Sequence, residues 1–325
     1  MMTPIEVFQQ KITGALAELP VLGEPAGLYQ PIVYALDQGG KRVRPLLTLL
    51  ANEMFGGAAD TAMPAAIAIE IFHNFTLLHD DVIDQAPLRR GKETIYKKWN
   101  LNTAILSGDT MFAIAYGRLS QSDPRLLPGL MKVFTDTAIE VCEGQQYDID
   151  FEDSNQITIP AYLNMIRLKT AVLLAASLKI GALSADASPE DCENIYQCGE
   201  NLGMAFQLQD DLLDAFGETD LFGKKTGGDI VANKKTYLYL KTYEKASVED
   251  KKQLDNWYAQ TTNDDDKKIE EVLKLYRKYA AKEETEGLIT QYYDLALQRL
   301  GAVAVSDERK APLLELAKNL LKREY

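Results

Sequence analysis

The segment HNFTLLHDDVID, residues 73–84, closes a long apolar run with three aspartates, Asp80, Asp81 and Asp84. On a helix, at about 100° per residue, Asp80 and Asp84 share one polar stripe and Asp81 lies on its flank. Carboxylates at a helix C-terminus oppose the helix dipole, and burial beside an apolar core raises their pKa unless a cation is near. Because hard oxygen ligands suit Mg²⁺ or Mn²⁺, this pattern predicts a helix that ends at a divalent-metal site.

The same pattern returns in MAFQLQDDLLDAFG, residues 204–217, which contains Asp210, Asp211 and Asp214, with Gln207 one turn before Asp211. One acidic triplet is a weak signal, because such triplets are common on helix surfaces. Two triplets, each closing an apolar helix, are much more specific. Helices far apart in sequence face one another in a bundle, where helical folds build metal sites. The two triplets therefore predict one shared site.

Apolar residues recur at helical spacing in most of the chain, and alternating β-branched runs are scarce. Three stretches are apolar nearly all round, as expected of helices surrounded by other helices: Ala65–Val82, Tyr162–Leu183 and Asn201–Ala215. No linker rich in Pro, Ser or Gly divides the 325 residues. We predict a single all-α domain, residues 1–325, with helices in segments 5–19, 41–55, 60–84, 101–117, 124–150, 159–183, 188–215, 233–259, 264–301 and 307–323, some of which are divided.

The charge, the cysteines and the apolar segments of the chain exclude several classes of function and location. The net charge of −13 repels nucleic acid and anionic lipid, so we expect no nucleic-acid partner. Three cysteines without zinc-like spacing indicate a reducing compartment. The start MMTPIEVFQQ lacks the apolar core of a signal peptide, and the apolar stretch Thr170–Ala185, interrupted by Lys179, is too short for a membrane span. We predict a cytoplasmic protein without a membrane span.

Basic residues follow each acidic triplet and also occur upstream of the first. The clusters are Lys41, Arg42 and Arg44 in GGKRVRP; Arg89, Arg90 and Lys92; and Lys224, Lys225, Lys234 and Lys235. A single basic cluster of this kind would indicate only a solvated surface. Combined with two carboxylate triplets on an acidic protein, they predict two phosphate pockets, one bridged by metal and one formed by Lys and Arg.

Both histidines of the chain lie within seven residues of Asp80. His73 lies on the acidic stripe and is predicted to donate to a diphosphate, whereas His79 lies off it and is predicted to be structural. Lys169 is a cation in a nearly apolar segment, NMIRLKTAVLLAASL. Two interpretations stay open for Lys169, a snorkelling side chain and a buried phosphate contact.

The chain resembles the trans-isoprenyl diphosphate synthases, or polyprenyl synthetases, over most of its length. The motifs that carry the resemblance are GGKRVRP, HNFTLLHDDVID followed by RRG, GQQYDIDFE, RLKTA, FQLQDDLLD, GKKTGGDI and KKT, in family order and at family intervals. The resemblance implies a homodimer of large helical bundles, each around a deep central cavity. It also implies condensation of isopentenyl diphosphate with an allylic diphosphate, namely dimethylallyl, geranyl or farnesyl diphosphate.

Residue roles follow from the same resemblance. Asp80, Asp84 and Asp210 would hold three Mg²⁺ on the allylic diphosphate, with Asp81, Asp211 and Asp214 in support. Arg89, Lys169 and Lys224 would contact that diphosphate, and Lys41, Arg44, His73 and Arg90 would bind isopentenyl diphosphate. Thr170, Gln207 and Lys234 match positions that line the reacting centre, and Gln145 and Asp148 fit a supporting GQxxD element.

The length of the product depends on what closes the cavity below Asp80. Ideal helix geometry places Thr76 one turn beneath Asp80. The family pattern instead implies Phe75, the fifth residue before the first aspartate, as the floor in enzymes that make C20 products. We predict geranylgeranyl diphosphate, with farnesyl diphosphate or a longer polyprenyl diphosphate as alternatives.

Three other classes of protein share part of this pattern. A terpene cyclase needs no second substrate pocket, which GGKRVRP argues against. A non-catalytic regulatory subunit of a heteromeric prenyl synthase is the alternative of a different class, but such chains usually carry damaged acidic motifs. An acidic metal buffer would not need cations interleaved with its carboxylates.

Overall fold

The structure, a computed structural model, describes residues 3–19, 23–154, 156–217, 226–259 and 264–322. Within these ranges the chain forms sixteen α-helices, one π-helical turn and one two-stranded hairpin. The predicted all-α class is confirmed.

The elements follow one another with short connections. The first are α1 (Pro4–Ala17), α2 (Ala26–Leu36), α3 (Val43–Met54), α4 (Ala59–Ile83), β1 (Leu88–Arg89), β2 (Lys92–Glu93), α5 (Ile95–Lys98), α6 (Leu101–Leu119) and α7 (Leu127–Asp153). The later ones are α8 (Ile159–Ile166), the π turn (Arg167–Ala171), α9 (Val172–Ser184), α10 (Pro189–Phe216), α11 (Gly228–Val231), α12 (Tyr237–Lys245), α13 (Val248–Ala259), α14 (Asp265–Lys278), α15 (Ala281–Ala302) and α16 (Asp307–Lys322).

The described residues group into two compact units. The first unit comprises Met1–Thr135, Ala176–Ile195 and Val303–Leu316, and the second comprises Asp136–Ala175, Tyr196–Ala302 and Ala317–Tyr325. The first acidic triplet belongs to the first unit and the second triplet to the second.

The first unit is built around α3 and α4, whose apolar side chains are almost fully buried. A side chain at Gly181 of α9 would lie 2.2 Å from the carbonyl oxygen of Thr48, so glycine lets α9 pack directly on the backbone of α3. Among the described residues, α4 is the one helix long and apolar enough to cross a membrane, and 61% of its apolar window is buried inside the protein. This packing fixes the C-terminal end of α4, where the first triplet lies.

The second unit has its core among α8, α10 and α12–α15. Two glycines bring neighbouring helices against the π turn. A Cβ at Gly144 of α7 would lie 2.3 Å from the backbone nitrogen of Lys169, and one at Gly203 of α10 would lie 2.5 Å from Cα of Ala171. The π turn is therefore held between the backbones of α7 and α10.

The sequence prediction did not include α5, α11 or the β1–β2 hairpin. Four further elements differ from the predicted segments or show where these are divided. Helix α2 was not predicted; its sequence carries an internal proline, Pro31. Segment 233–259 is two helices, because Ala246 adopts an extended backbone after α12. Segment 264–301 is also divided, at Ala280, whose φ of 55° is left-handed. Segment 159–183 is not a continuous α-helix, because it contains the π turn.

Candidate active site

Helix α4 ends at its three aspartates. Asp84 is the C-cap residue, and its N–H donates to the carbonyl oxygen of Asp80 at 2.8 Å. Residues four apart on a helix are neighbours on its surface, so Asp80 and Asp84 share one face. Asp81 lies beside this face and is only 6% exposed.

Arg89 connects two of these carboxylates. Its Nε donates to Oδ1 of Asp81 at 2.8 Å, and its Nη2 lies 3.3 Å from Oδ2 of Asp80. Burial lowers the pKa of Arg89, but the hydrogen bond and the charge of Asp81 outweigh burial, and the pKa of the guanidinium is raised. Burial also raises the pKa of the Asp81 carboxyl, which Arg89 opposes. Arg89 therefore stays charged and partly neutralises the triplet.

A tight hairpin presents Arg89. Strands β1 and β2 pair Arg89 with Lys92, which leaves Arg90 and Gly91 as a two-residue turn. Both turn residues have left-handed backbones, with φ of 53° and 77°. Such a turn favours glycine at its second position, which explains RRG in the sequence. The side chain of Arg90 donates in turn to the carbonyl oxygen of Gly39 in the GGKRVRP loop.

His73 lies among four arginines of the first unit. Burial lowers its pKa well below the usual value, and the charges of Arg44, Arg90, Arg89 and Arg42 lower it further. Nη1 of Arg44 is 3.0 Å from Nε2 of His73. Because a guanidinium can only donate, Nε2 accepts, and the single proton of the neutral ring is assigned to Nδ1. His73 can therefore donate to a ligand only through Nδ1.

Arg44 and Arg42 have different surroundings. Burial lowers the pKa of Arg44 to about 10, and its buried Nε has no hydrogen-bond partner within the described ranges. Leaving a buried guanidinium donor unsatisfied is costly, so this site suits an anion. Arg42, in contrast, pairs with Glu70 and donates to the carbonyl oxygen of Leu36, which makes it structural. Lys41 is exposed in the loop before α3.

A chain of hydrogen bonds runs through the second unit. Thr170 Oγ1 donates to Gln207 Oε1 at 2.9 Å, and Gln207 Nε2 donates to Asp211 Oδ1 at 3.0 Å. The hydroxyl of Tyr162 donates to the other oxygen of Asp211. Burial and the charge of Asp229 raise the pKa of Asp211 to about 7, against these hydrogen bonds. Thr170 and Gln207, predicted to line one centre, are therefore directly bonded.

Lys169 lies in the π turn and forms an ion pair with α7. Its Nζ lies 2.6 Å from Oδ2 of Asp148. Gln145, the other residue of the GQxxD element, is half-buried on the same helix. π turns are rare and often mark functional sites. The turn places Lys169 against Asp148 and Thr170 against Gln207.

Asp214 of the second triplet holds the start of α11. Its Oδ2 accepts a hydrogen bond from the N–H of Asp229 at 2.8 Å. Burial, with the charge of Asp214, raises the pKa of Asp229 to about 6, while Lys234 opposes the shift. Lys234 is exposed at the end of the α11 segment. Lys224 and Lys225 lie outside the described residues.

An aromatic cluster surrounds Phe75 in the first unit. Its ring centre is 4.7 Å from that of His79, 5.2 Å from that of Phe112 and 5.6 Å from that of Phe72. Thr76 instead donates its hydroxyl to the carbonyl oxygen of His73 at 2.8 Å. Phe75 thus presents bulk one to two turns before Asp80.

Comparisons with known proteins agree with this geometry. The family described as Polyprenyl synthetase matches residues 25–276. The chain belongs to the polyprenyl synthetase family. It is 32% identical to the short chain isoprenyl diphosphate synthase of Methanothermobacter thermautotrophicus, over 98% of this chain and 96% of that protein.

Further relatives of this polyprenyl synthetase carry a more specific name. It is 38% identical to the geranylgeranyl diphosphate synthase of Methanosarcina mazei, over 75% of this chain and 77% of that one. A crystal structure of a geranylgeranyl pyrophosphate synthase, 46% identical, matches with a TM-score of 0.94 and covers 100% of both chains. The predicted family is confirmed, and with it the predicted enzyme class, prenyltransferase.

The carboxylates of this polyprenyl synthetase suit a metal that is only partly enclosed by protein. Across the described ranges, no group of three or more His, Cys, Asp or Glu side chains is placed to hold an ion. Magnesium normally takes one or two carboxylates and completes its shell with water and phosphate oxygens. A one-turn pair such as Asp80 and Asp84 provides that kind of partial ligand set.

Sequence reasoning missed two residues of this polyprenyl synthetase that contact the predicted site residues. Tyr162 bonds Asp211, but nothing in the sequence marks this tyrosine among sixteen. Asp229 donates its N–H to Asp214. The sequence could have indicated this residue, because Asp229 is the acidic residue of the motif GKKTGGDI.

Proposed function

We propose that this polyprenyl synthetase condenses isopentenyl diphosphate with an allylic diphosphate and releases geranylgeranyl diphosphate. The observation that carries the proposal is the group of four arginines around His73, in which the buried Nε of Arg44 has no hydrogen-bond partner within the described ranges. A terpene cyclase or a metal buffer would need no such second anion site. Relatives named as geranylgeranyl diphosphate synthases support the product.

In this proposal the arginine group around His73 binds the diphosphate of isopentenyl diphosphate. Arg44, Arg90 and Lys41 would donate to its oxygens, and His73 would donate through Nδ1. Guanidinium groups form paired hydrogen bonds with phosphate oxygens, which fixes the orientation of the substrate as well as its affinity.

The allylic diphosphate would bind at the two acidic triplets with three Mg²⁺, or Mn²⁺ in their place. We assign Asp80, Asp84 and Asp210 as metal ligands and the other three aspartates as supports. Oxygens of Asp81, Asp211 and Asp214 accept hydrogen bonds from protein donors, and Oδ2 of Asp80 also accepts one from Arg89. Divalent ions would neutralise the charge that develops on the departing diphosphate.

Protein groups would complete the reacting centre. Lys169, Arg89 and Lys224 would contact the allylic diphosphate, and their charges would stabilise its departure in a water-poor site. Thr170, Gln207 and Lys234 would line the allylic cation that forms. The hydroxyl of Thr170 and the amide oxygen of Gln207 are held in place by the hydrogen bond between them. Neither group would need to reorient during the reaction.

The domain organisation, oligomeric state and location of the protein are also part of the proposal. We infer a single-domain, cytoplasmic homodimer that binds no nucleic acid and spans no membrane. The family match runs unbroken through residues that belong to both units. Helix α6 exposes Leu101, Ile105 and Leu106, at 50%, 40% and 59%, an apolar surface that a second copy would cover.

One assay tests the function. Purified chain is incubated with Mg²⁺, isopentenyl diphosphate and dimethylallyl, geranyl or farnesyl diphosphate in turn, and product lengths are read by mass. We expect metal-dependent formation of C20 product from each primer. A C15 end product, or one longer than C20, would correct the chain length only. Failure to consume isopentenyl diphosphate with any primer would overturn the proposal in favour of a non-catalytic subunit.

A further inference from the structure

Lys268 of α14 is 1% exposed, although lysine is among the residues least often buried. Its ammonium donates to Oδ1 of Asn233, and its Nζ lies 3.4 Å from the carbonyl oxygen of Val231. The same Nζ lies 5.5 Å from the ring centre of Tyr258. These contacts replace the water that the ammonium loses on burial.

Both acceptors belong to the C-terminal end of α11. Val231 is the last residue of that helix. Asn233 has a left-handed backbone with φ of 59°, and its N–H donates to the carbonyl oxygen of Ile230 at 3.1 Å. Asparagine is one of the few residues that adopt this conformation readily, and a cation is favourable at a helix C-terminus. Lys268 therefore caps α11 from a neighbouring helix.

The other end of α11 is held as firmly. The carboxylate of Asp214 accepts from the N–H of Asp229 at 2.8 Å. Gly227 has φ of 88°, and a Cβ there would lie 2.7 Å from Cδ1 of Ile269, the residue after Lys268. The short helix thus lies between the second acidic triplet and α14.

Lys234 directly follows this capped end. Its N–H donates to the carbonyl oxygen of Asp229 at 2.9 Å, which folds the chain back over α11. The backbone of Asp229 that holds Lys234 is itself bonded to the second acidic triplet, because its N–H donates to Oδ2 of Asp214. The position of Lys234 depends on where α11 ends.

We propose that Lys268 is a positioning residue, which places Lys234 at the reacting centre by anchoring Asn233 and the C-terminal end of α11. This inference rests on the role proposed above for Lys234. It assigns a function to a buried cation that touches neither substrate nor metal.

The test compares steady-state kinetics of four variants with wild type, below the melting temperature of each. Lys268→Met keeps the length of the side chain and removes its donors. Asn233→Gly removes the acceptor at an exposed position whose backbone suits glycine. Lys274→Met is the matched control, because Lys274 is exposed on the same helix and pairs with exposed Glu270 and half-buried Glu271 among its described contacts. Lys234→Ala measures the role of Lys234 itself.

Lys268→Met should lower kcat by roughly tenfold to a hundredfold, the cost of displacing a reacting group by about 1 Å. The KM for isopentenyl diphosphate should not change, because its proposed contacts are on other elements. Asn233→Gly should lower kcat in the same direction. The double variant should be no slower than Lys268→Met alone, since the two side chains act through one contact. Lys274→Met should match wild type.

The outcomes separate this inference from the proposed function. If Lys234→Ala is slow while Lys268→Met and Asn233→Gly have wild-type kcat, Lys268 has no positioning role. Multiplicative losses in the double variant would also overturn the inference. If Lys234→Ala itself has wild-type kcat, the proposed role of Lys234 is wrong. Should Lys268→Met fail to fold, the kcat of Asn233→Gly alone decides.

Discussion

Nη1 of Arg44 lies 3.0 Å from Nε2 of His73, so a buried guanidinium donates to a neutral imidazole. Their surroundings favour the uncharged ring, since burial and four arginine charges all lower the pKa of His73. Protonation of His73 would place a second positive charge beside Arg44. The stability of this pair therefore depends on pH.

Stability should fall in acid because of His73. In the unfolded chain this histidine takes up a proton near pH 6.5, whereas in the folded protein it resists protonation to a much lower pH. The unfolded state thus binds more protons below about pH 6.5, and the free energy of unfolding should fall by up to about 1.4 kcal/mol per pH unit. Urea unfolding at pH 7.5 and 5.5 should show a smaller loss in His73→Gln, which keeps an acceptor for Arg44. Equal losses in both proteins would contradict the assignment.

Asp80→Asn and Asp210→Asn should each lower kcat by roughly a thousandfold or more, because a metal ligand is removed without opening a core cavity. Circular dichroism melting should show that both variants remain folded. Asp60→Asn provides the control on the same helix as Asp80, since Asp60 is exposed and pairs with Lys11. A rate near wild type in either ligand variant would refute the metal assignment for that residue.

Thr170→Val should lower kcat by about tenfold, because it removes the hydroxyl that orients Gln207 but keeps the shape of the side chain. Gln207→Leu should cost as much or more, as it also breaks the bond to Asp211. Single-turnover rates of the double variant should exceed the product expected from independent effects, since the two residues share one hydrogen bond. Strictly multiplicative losses would show that the bond has no part in the reaction.

Phe75→Ala should shift the products beyond C20, because it removes a ring that packs against Phe72 and Phe112. Mass analysis of the products decides between the two candidate floors. Thr76→Ala is the matched variant, and we expect it to keep the C20 product. A longer product from Thr76→Ala, with C20 retained in Phe75→Ala, would reverse the assignment.

Gly144→Ala should abolish most activity and lower the melting temperature, because its Cβ would lie 2.3 Å from the backbone nitrogen of Lys169. Gly129→Ala on the same helix meets nothing within 4 Å. It should leave kcat unchanged and stabilise the helix by about 0.5–1 kcal/mol, the usual difference between the two residues. Similar behaviour of the two variants would mean that α7 does not depend on close contact with the π turn.

Features set by residues close together in the sequence could be predicted, and features set by residues far apart could not. Helical spacing was enough for α4 and α10, since the periodicity of their apolar residues is local. Divided segments were expected, but the break at Ala280 and the π turn could not be located, because neither is marked by a local proline or glycine. In the site, the sequence places Gln207 and Asp211 one turn apart, and the structure shows a hydrogen bond between them. Tyr162 bonds Asp211 from 49 residues away and left no pattern in the sequence.

The π turn has one residue more than the corresponding α-helical turn. The side chains of the following helix, α9, therefore point in different directions from those of a regular helix. Residues of α9 are rotated by about 100° relative to a helix continued unbroken from α8. Deleting one residue between Arg167 and Ala171 would restore a regular helix at little cost to the backbone. The same deletion would turn either Lys169 or Thr170 away from its partner, so the insertion of one amino acid is what allows both contacts.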